Sequence, residues 1–219
     1  MFKVLDKQDV SYMDQILFDE NNLIRVLPSC ELLKLPPEHI MIWGNLNGVY
    51  TFPTTELIDF LKEKIEVKNT IEICAGNGCI GRALGITSTD SYMQTRPEII
   101  AFYKSVGQKP IHPPIDVQKF EATEAIKLYN PKTVVASYAT QISKKDDYQN
   151  SSQFGVDEET IMSNVETYIH IGNSSTHATK RIVRKYYHDL FRFPWLVTRS
   201  VNPQENEIRI FRNEQKYAK

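Results

Sequence analysis

The sequence has few cysteines and no long apolar run. Its 219 residues include 3 cysteines, with no CxxC pair and no Cys/His cluster, so neither a disulfide framework nor a zinc site is predicted. No stretch reaches the roughly 20 consecutive apolar residues of a membrane helix, and the start MFKVLDKQDV lacks the pattern of a signal peptide. We therefore expect a cytoplasmic protein that does not bind membranes and holds no metal.

The chain as a whole also lacks an excess of charge of one sign. Its formal net charge is -1, from 26 basic and 27 acidic residues. The part after His170 is nevertheless positive, with ten basic and four acidic residues. A basic surface can attract the phosphates of a nucleic acid, but such runs are more often the solvated faces of helices and strands. Nucleic acid is an open alternative that the sequence does not favour.

Apolar patterns predict strands and helices in alternation. The predicted strands are TIEICA, ITSTD, a short one around 115–117, TVVASYA, TYIHIGN, PWLVTRS and EIRIFRN. Helices are predicted over 54–65, 79–84, 97–107, 119–129, 157–165 and 174–191. This order predicts an α/β fold with a mostly parallel, doubly wound seven-stranded sheet that ends in an antiparallel pair, PWLVTRS with EIRIFRN.

Two segments lie outside this alternation. Residues 1–47 are predicted to form a helical N-terminal cap, with short helices ending near Leu17 and Leu35, the second stopped by Pro36 and Pro37. Residues 48–219 would form the α/β domain. Within it, the polar segment 140–155 is predicted to be a long loop, and together with the cap we expect it to enclose a substrate.

The most informative segment is IEICAGNGCIG, which places Gly76, Gly78 and Gly81 between a strand and a helix. Glycine lets the backbone turn tightly and approach a ligand closely, although the same spacing also fits a purely structural turn. Glu72 precedes the loop, and Asp90 ends the next strand, where a carboxylate can accept both hydroxyls of a ribose. We predict a nucleoside-type ligand at this edge of the sheet.

The charge near the loop indicates which nucleoside. A pyrophosphate needs neutral or positive surroundings, whereas Glu72 would meet a cationic ligand directly or through water. EICAGNG resembles the first motif of class I S-adenosylmethionine-dependent methyltransferases, acidic-x-Gly-x-Gly-x-Gly. Asp90 resembles the family's acidic residue after the second strand, TVVASYAT stands at its fourth strand, and VYTFPTTEL is similar to a segment that packs over the cofactor in some members.

The resemblance covers roughly residues 48–212 and implies S-adenosylmethionine as cofactor. The residues that it implies for the cofactor site are Tyr50, Thr54, Glu72, Cys74, Ala75, Gly76, Asn77, Gly78, Asp90, Ser91, Asp116, Val117 and Ser137. Among these, Asp116 and Val117 would lie near the adenine.

Two departures from the family pattern carry expectations of their own. Cys74 replaces the first glycine of the motif, which the turn tolerates if this residue keeps a negative φ. ASYAT replaces the Asn/Asp-Pro-Pro-Tyr/Phe of amino-methylating nucleic-acid and glutamine methyltransferases, which counts against those substrates. We therefore expect a small-molecule or protein acceptor.

Methyl transfer depends mostly on positioning, so its catalytic residues leave a weak mark on a sequence. Tyr138 follows the fourth strand and could orient a substrate, or could be a core or rim tyrosine. Asn173 and His177 follow the next strand, where His177 could act as a base. Their structural alternatives are a turn residue for Asn173 and a helix-capping or surface residue for His177.

Two other functions stay open at this point. A methyltransferase-like binding protein without catalytic activity is compatible with ASYAT and with Cys74. An NAD(P)-dependent oxidoreductase is the second alternative, with Asp90 holding the adenosine ribose. Glu72 and the closing antiparallel pair favour the methyltransferase over the oxidoreductase.

Overall fold

The computed structural model describes residues 8–105, 108–144 and 151–213. Seven strands form one sheet: β1 (Thr70–Ile73), β2 (Thr87–Asp90), β3 (Val117–Lys119), β4 (Thr133–Ser137), β7 (Thr167–Asn173), β8 (His188–Phe191) and β9 (Asn206–Arg212). The helices are α1 (Asp14–Leu17), α2 (Ser29–Leu32), α3 (Pro37–Asn47), α4 (Thr55–Lys62), α5 (Cys79–Leu84), α6 (Pro97–Ser105), α7 (Ala122–Tyr129), α8 (Glu158–Asn164), α9 (Ser174–His177) and α10 (Arg181–Lys185).

The strand order across the sheet is β3-β2-β1-β4-β7-β9-β8. β1, β2, β3, β4 and β7 run parallel, whereas β9 is antiparallel to both β7 and β8. The predicted mostly parallel, seven-stranded sheet with an antiparallel end is therefore confirmed. Because the five parallel strands share one direction, the segments that follow β1, β2 and β4 meet at one edge.

Both faces of the sheet are covered by helices. Val134 and Ala136 of β4 pack in a core with residues of α7 and α8, and Val135 between them packs in a core with residues of α4 and α5. This alternation follows from the two-residue period of a strand, and strands buried on both faces are apolar throughout.

A third apolar core belongs to the N-terminal segment. Met13, Leu17, Leu32 and Trp43 are buried together with Phe52. The N-terminal segment thus packs its apolar side chains against Val49 and Phe52. These residues belong to the segment that leads to the edge of the sheet where the glycine loop lies.

The prediction that Pro36 and Pro37 stop the second helix misses α3. α2 does end at Leu32, but Pro37 begins α3, where its missing N–H and fixed φ are compatible with the first helical turn. α3 ends at Gly48, whose φ of 65° is the left-handed value that glycine adopts readily.

The predicted helix over 174–191 is wrong. It divides into α9 and α10, and its last residues form β8 because His188–Phe191 pair with β9. Lys180 is buried at the break, so the chain turns inward there instead of continuing as a surface helix.

The predicted strand PWLVTRS is also wrong, and β8 takes its place in the antiparallel pair. Pro194 cannot donate a hydrogen bond to a neighbouring strand. The segment instead runs over residues 50–52, where the Phe52 amide donates to the Val197 carbonyl and Thr198 forms an isolated bridge with Thr51.

The predicted loop 140–155 contains ordered pairing. β5 (Gln141–Ile142) and β6 (Ser151–Ser152) form a short parallel ladder, and residues 145–150 lie outside the described residues. Within the described ranges, no helix is both long and apolar enough to cross a membrane.

Candidate functional site

A cavity of about 240 Å³ opens where β1, β2 and β4 end. Its lining comprises Gly48, Tyr50, Thr51, Glu72, Cys74, Ala75, Gly76, Asn77, Cys79, Ile80, Asp90, Ser91, Met93, Gln94, Tyr103, Ile111, Ser137, Tyr138, Ala139, Thr140, Ser152, Phe154 and Val156. A larger cavity of about 350 Å³ lies between the N-terminal segment and residues 192–206 and does not include the glycine loop. The smaller one is the candidate site because ligands of parallel sheets bind at the carboxyl ends of the strands.

The glycine loop is held in a left-handed backbone. Gly76 has a φ of 55° and Gly78 a φ of 68°, values that residues with a Cβ rarely adopt. A Cβ on Gly78 would stand 2.5 Å from a methyl group of Val117, so glycine is required there. Cys74 has a φ of 53°, so the turn does not meet the condition of a negative φ under which a residue other than glycine was expected to be tolerated. The residue occupies a glycine conformation with a side chain in place.

The backbone amides of the glycine loop donate hydrogen bonds to acceptors within the protein. The Gly76 amide donates to Asp90, the Gly81 amide to Glu72 and the Gly78 amide to the Ala75 carbonyl. The Cys79 amide donates to the side chain of Asn77. These four N–H groups are therefore not directed at a ligand, in contrast to a phosphate-binding loop, whose amides point at the anion.

Glu72 lies beneath the loop and is 1% exposed. Its Oε2 atom accepts hydrogen bonds from the Gly81 amide at 2.9 Å and the Ser88 hydroxyl at 2.8 Å. Burial raises its pKa to about 7, although these two hydrogen bonds oppose the shift. A Cβ on Gly81 would lie 2.5 Å from the same Oε2 atom, which explains the third glycine. Glu72 thus braces the loop from below, which argues against the direct ligand contact expected from the sequence.

Asp90 is half-buried at the end of β2 and lines the cavity. Oδ2 accepts the Gly76 amide at 3.0 Å, and Oδ1 accepts the Tyr92 amide at 2.8 Å. Burial raises its pKa, and the two amides oppose the shift. A carboxylate oxygen has two lone pairs, so both atoms retain capacity for a ligand hydroxyl.

Asp116 does not line the cavity. Its carboxylate forms a two-pronged ion pair with Arg82, at 2.8 and 3.0 Å. Arg82 also donates to the Asn77 carbonyl, so the pair supports the glycine loop from outside. Hydrogen bonding to Arg82 lowers the pKa of Asp116. Val117 is buried beneath Gly78, so neither of the two residues that the resemblance placed near the adenine lines the cavity.

The segment 48–51 borders the cavity and contacts both the glycine loop and the end of β4. The Ser137 hydroxyl donates to Thr51 at 2.8 Å, and the Asn77 side chain donates to the Gly48 carbonyl at 3.3 Å. Tyr50 lines the cavity, as predicted for a site residue. Thr54 does not, because its hydroxyl is buried as the N-cap of α4 and accepts the Leu57 amide.

Two observations together decide the fold class. The sheet runs five parallel strands in the order β3-β2-β1-β4-β7 and then inserts β9 antiparallel before β8. The left-handed loop follows the central strand β1 and meets the carboxylate at the end of β2. The chain has the class I methyltransferase fold.

No protein-family model and no curated protein matches the sequence. Among solved structures, an rRNA methylase from Streptococcus thermophilus is similar at 12% identity and a TM-score of 0.39, over 71% of this chain and 93% of that chain. The 23S rRNA methyltransferase ErmE is similar at 12% identity and a TM-score of 0.35, over 72% of this chain and 67% of that chain. Thermoplasma acidophilum 1320 is 16% identical with a TM-score of 0.35, over 80% and 94% of the two chains. The assignment of the class I methyltransferase fold rests on the strand order and the loop.

Tyr138 follows the fourth strand of this class I methyltransferase fold and lines the cavity. Its φ of 53° is left-handed, like that of Cys74 at the end of the neighbouring strand. Its hydroxyl donates to Thr198 at 3.0 Å, and its ring lies 5.5 Å from that of Tyr50. Burial raises its pKa to about 12, so Tyr138 can orient a ligand but does not act as a base near neutral pH.

Asn173 and His177 do not line the cavity, against the catalytic prediction. Asn173 is fully buried and caps α9, where its side-chain oxygen accepts the Ser175 amide. His177 is 3% exposed, and its Nδ1 atom accepts the Asn173 amide at 3.0 Å. Burial lowers its pKa to about 3, so the imidazole is neutral. Asn173 is thus the N-cap of α9 and not a turn residue, and His177 is a buried residue of α9 and not a surface or capping residue.

A buried ion pair stands behind the end of β4. Lys180 is 1% exposed, and its Nζ atom donates to Glu158 at 2.5 Å, the Ala139 carbonyl at 2.8 Å and His170 Nε2 at 3.1 Å. The Tyr168 hydroxyl donates to the same Glu158 oxygen. Because Ala139 lines the cavity, this group fixes one wall of the site.

The sequence did not predict several lining residues, among them Gly48, Thr51, Met93, Gln94, Tyr103 and Ile111. They come from loops and from α6, and contacts between segments distant in sequence place them. For example, the side chain of Gln94 accepts the Ile111 amide at 2.8 Å and so holds residue 111 beside the glycine loop. A pattern of local spacing carries no signal for such contacts.

Proposed function

We propose that this protein binds S-adenosylmethionine in the cavity at the glycine loop and transfers its methyl group to a small-molecule or protein acceptor. The observation that carries the proposal is the charge of the lining. Among the described residues that line the cavity, Asp90 supplies a carboxylate and no lysine, arginine or histidine accompanies it, while the buried Glu72, with a pKa of about 7, adds partial negative charge beneath the loop. Such a site suits a cationic nucleoside and repels a pyrophosphate.

The residues present fit that cofactor. Asp90 would accept the ribose hydroxyls, and the left-handed Gly76 and Gly78 let the backbone approach without a Cβ. When bound, S-adenosylmethionine would supply an electrophilic methyl carbon to an acceptor's lone pair, with the sulfur as the leaving group and S-adenosylhomocysteine as the product. Ser137 and Tyr138 stand at the wall where an acceptor would enter, and the buried Lys180 holds that wall in place through Ala139.

The amides of the loop argue against the oxidoreductase. Four of them are used within the protein, so a dinucleotide would find few free donors for its pyrophosphate. An inactive binding protein differs from an enzyme in turnover alone, so binding and transfer must be measured separately.

Calorimetric titration with S-adenosylmethionine, S-adenosylhomocysteine and NAD tests the binding proposal. We expect the first two to bind and NAD not to bind, because only NAD carries a pyrophosphate. Binding of NAD alone would favour the oxidoreductase. Transfer is tested by incubating the protein and a cell extract with methyl-labelled cofactor. Label that reaches an extract component supports an enzyme, and binding without any labelled product supports the inactive binding protein.

A further inference from the structure

The guanidinium of Arg199 lies over the ring of Tyr50. Its central carbon stands 3.5 Å from the ring centroid, which is within the range of a cation–π contact. Arg199 is half-buried, and Tyr50 lines the cavity. A positive charge therefore stands beside Tyr50, although the charged side chains among the described lining residues are the acidic ones of Glu72 and Asp90.

This guanidinium forms no ion pair with a carboxylate in the part of the chain that the structure describes. Arg192, seven residues earlier, contacts Glu207 at 3.3 Å, and Arg82 is paired with Asp116. Arg199 has five N–H donors in a planar fork that matches a carboxylate or a phosphate. Its contact within the described residues is the ring of Tyr50, and the partly exposed guanidinium keeps N–H donors that an anion could accept from.

The position of Arg199 is fixed by the backbone on two sides. Its amide donates to the Tyr50 carbonyl at 3.0 Å, and its neighbour Thr198 bridges to Thr51. On the far side stands Gly44 of α3, where an added Cβ would lie 2.8 Å from the Arg199 Cβ. The N-terminal segment thus leaves room for this arginine.

Arg199 stands near the cavity without being one of the residues that line it. Its guanidinium stacks on Tyr50, which lines the cavity, and its charge acts on two more lining residues, Tyr138 and Tyr103. The pKa values of both tyrosines are raised by burial and lowered by this guanidinium. A ligand group that lies against these tyrosines would therefore meet a cation, whereas a group at the end of β2 would meet the carboxylate of Asp90.

We propose that Arg199 binds an anionic group, a carboxylate or a group of the same charge, at the Tyr50–Tyr138 end of the cavity. This rests on the proposed function insofar as the cavity is a ligand site. The anion has two sources, the amino-acid carboxylate of the cofactor or an anionic group on the acceptor. Tyr50 holds the guanidinium plane in position, and the fork grips the anion.

The first arm of the test compares Arg199→Gln with a matched control, Arg192→Gln, which removes an arginine outside the cavity. The probes for calorimetry are S-adenosylhomocysteine and 5′-methylthioadenosine, which lacks the amino-acid part. If the anion is the cofactor's, Arg199→Gln binds S-adenosylhomocysteine about 10- to 100-fold more weakly and binds 5′-methylthioadenosine as the wild type does. The control is expected to leave both affinities unchanged.

The second arm uses benzoate, with benzamide as its uncharged analogue, in the presence and absence of saturating S-adenosylhomocysteine. If the anion belongs to the acceptor, the wild type binds benzoate but not benzamide, and Arg199→Gln loses benzoate binding with its nucleoside affinities intact. This arm works without the nucleoside, so it still tests Arg199 if S-adenosylhomocysteine does not bind and the proposed function fails.

The proposal is overturned if neither arm responds to Arg199→Gln. It is also overturned if the variant weakens S-adenosylhomocysteine and 5′-methylthioadenosine equally, because that result indicates lost packing on Tyr50. The melting temperature of each variant, compared with Arg192→Gln, identifies a loss caused by unfolding. In that case Arg199→Lys, which keeps the charge and loses the fork, repeats both arms and is expected to retain part of the anion binding.

Discussion

At the scale of single residues, two side chains occupy backbone conformations that favour glycine. Cys74 and Tyr138 both have a φ of 53°, and they follow the neighbouring parallel strands β1 and β4. Strained residues persist where the surrounding structure holds them in place, and such positions often cluster at functional sites. Here both line the same cavity.

Cys74 offers a direct measurement of this strain. A left-handed conformation costs a residue with a Cβ roughly 1–2 kcal/mol, whereas glycine costs about 0.5–1 kcal/mol of extra chain entropy on folding. We expect the free energy of unfolding of Cys74→Gly, measured in urea, to lie within about 1 kcal/mol of the wild-type value. Cys74→Val, which is β-branched at a positive φ, should be less stable than Cys74→Gly by about 2 kcal/mol or more. Equal stabilities for the two variants would show that the backbone does not hold this conformation.

Asp90 is the residue on which ligand binding should depend most. Asp90→Asn keeps an acceptor for one of the amides of Gly76 and Tyr92 and loses the charge and the other acceptor, so S-adenosylhomocysteine should bind about 1–3 kcal/mol more weakly. Asp59→Asn is the matched control, because Asp59 is exposed on α4 and does not line the cavity. Calorimetry measures both affinities. An affinity of Asp90→Asn within twofold of the wild type would mean that Asp90 does not hold the ribose.

At the scale of elements, four separate segments meet at one buried cation. Lys180, just before α10, contacts Glu158 of α8, His170 of β7 and the Ala139 carbonyl that follows β4. A buried ion pair is weak support for stability as a whole, but removing one partner leaves the other charge uncompensated. The pair therefore ties the wall of the cavity to the packing of α8.

Removing the amine should be costly. We expect Lys180→Met to lower the free energy of unfolding by about 3–5 kcal/mol, because Glu158 would stay buried without its cation. Adding Glu158→Gln should recover part of the loss, which a double-mutant cycle in urea measures. Lys185→Met is the matched control, since its pair with Glu159 is exposed on the lysine side and should contribute about 1 kcal/mol or less. A loss no greater than in the control would contradict the role given to Lys180.

At the scale of the whole molecule, the buried histidines and the buried Glu72 have opposite effects on how stability depends on pH. Burial lowers the pKa of His170 and lowers that of His177 from 6.5 to about 3, so the unfolded chain binds more protons and stability falls as pH drops below about 6.5. Glu72 acts in the other direction. Its pKa is raised from 4.5 to about 7, so its contribution is present below about pH 4.5 and is lost as pH rises through 7.

Comparing variants isolates the histidine contribution. His177→Asn keeps an acceptor for the Asn173 amide and removes the titration. We expect the free energy of unfolding of this variant to depend less on pH between about 6.5 and 4, by up to about 1.4 kcal/mol per pH unit. The exposed His112→Asn should follow the wild type. A His177→Asn curve parallel to that of the wild type would mean that the imidazole is not held neutral in the fold.

The sequence determined much of the sheet and the glycine loop because their signals are local. The apolar runs that became β1, β4 and β7, the cap at Thr54 and the three glycines are readable from neighbouring residues alone. The antiparallel pair at the end of the sheet was predicted only in part. The sequence predicted PWLVTRS as the partner of β9, whereas the structure uses His188–Phe191, because Pro194 cannot donate a hydrogen bond and the chain turns inward at the buried Lys180. The burial of this lysine depends on partners from other elements.

The site residues likewise fall into those that the sequence predicted and those that only the tertiary structure placed. Gly76, Gly78 and Asp90 follow from spacing, since a tight turn and a strand end are local features. Only the tertiary structure decided that Glu72 braces the loop, that Asp116 pairs with Arg82, and that Arg199 stacks on Tyr50. The physical reason is that burial and charge pairing arise between segments far apart in the chain, and a pattern of residue types along one segment does not specify them.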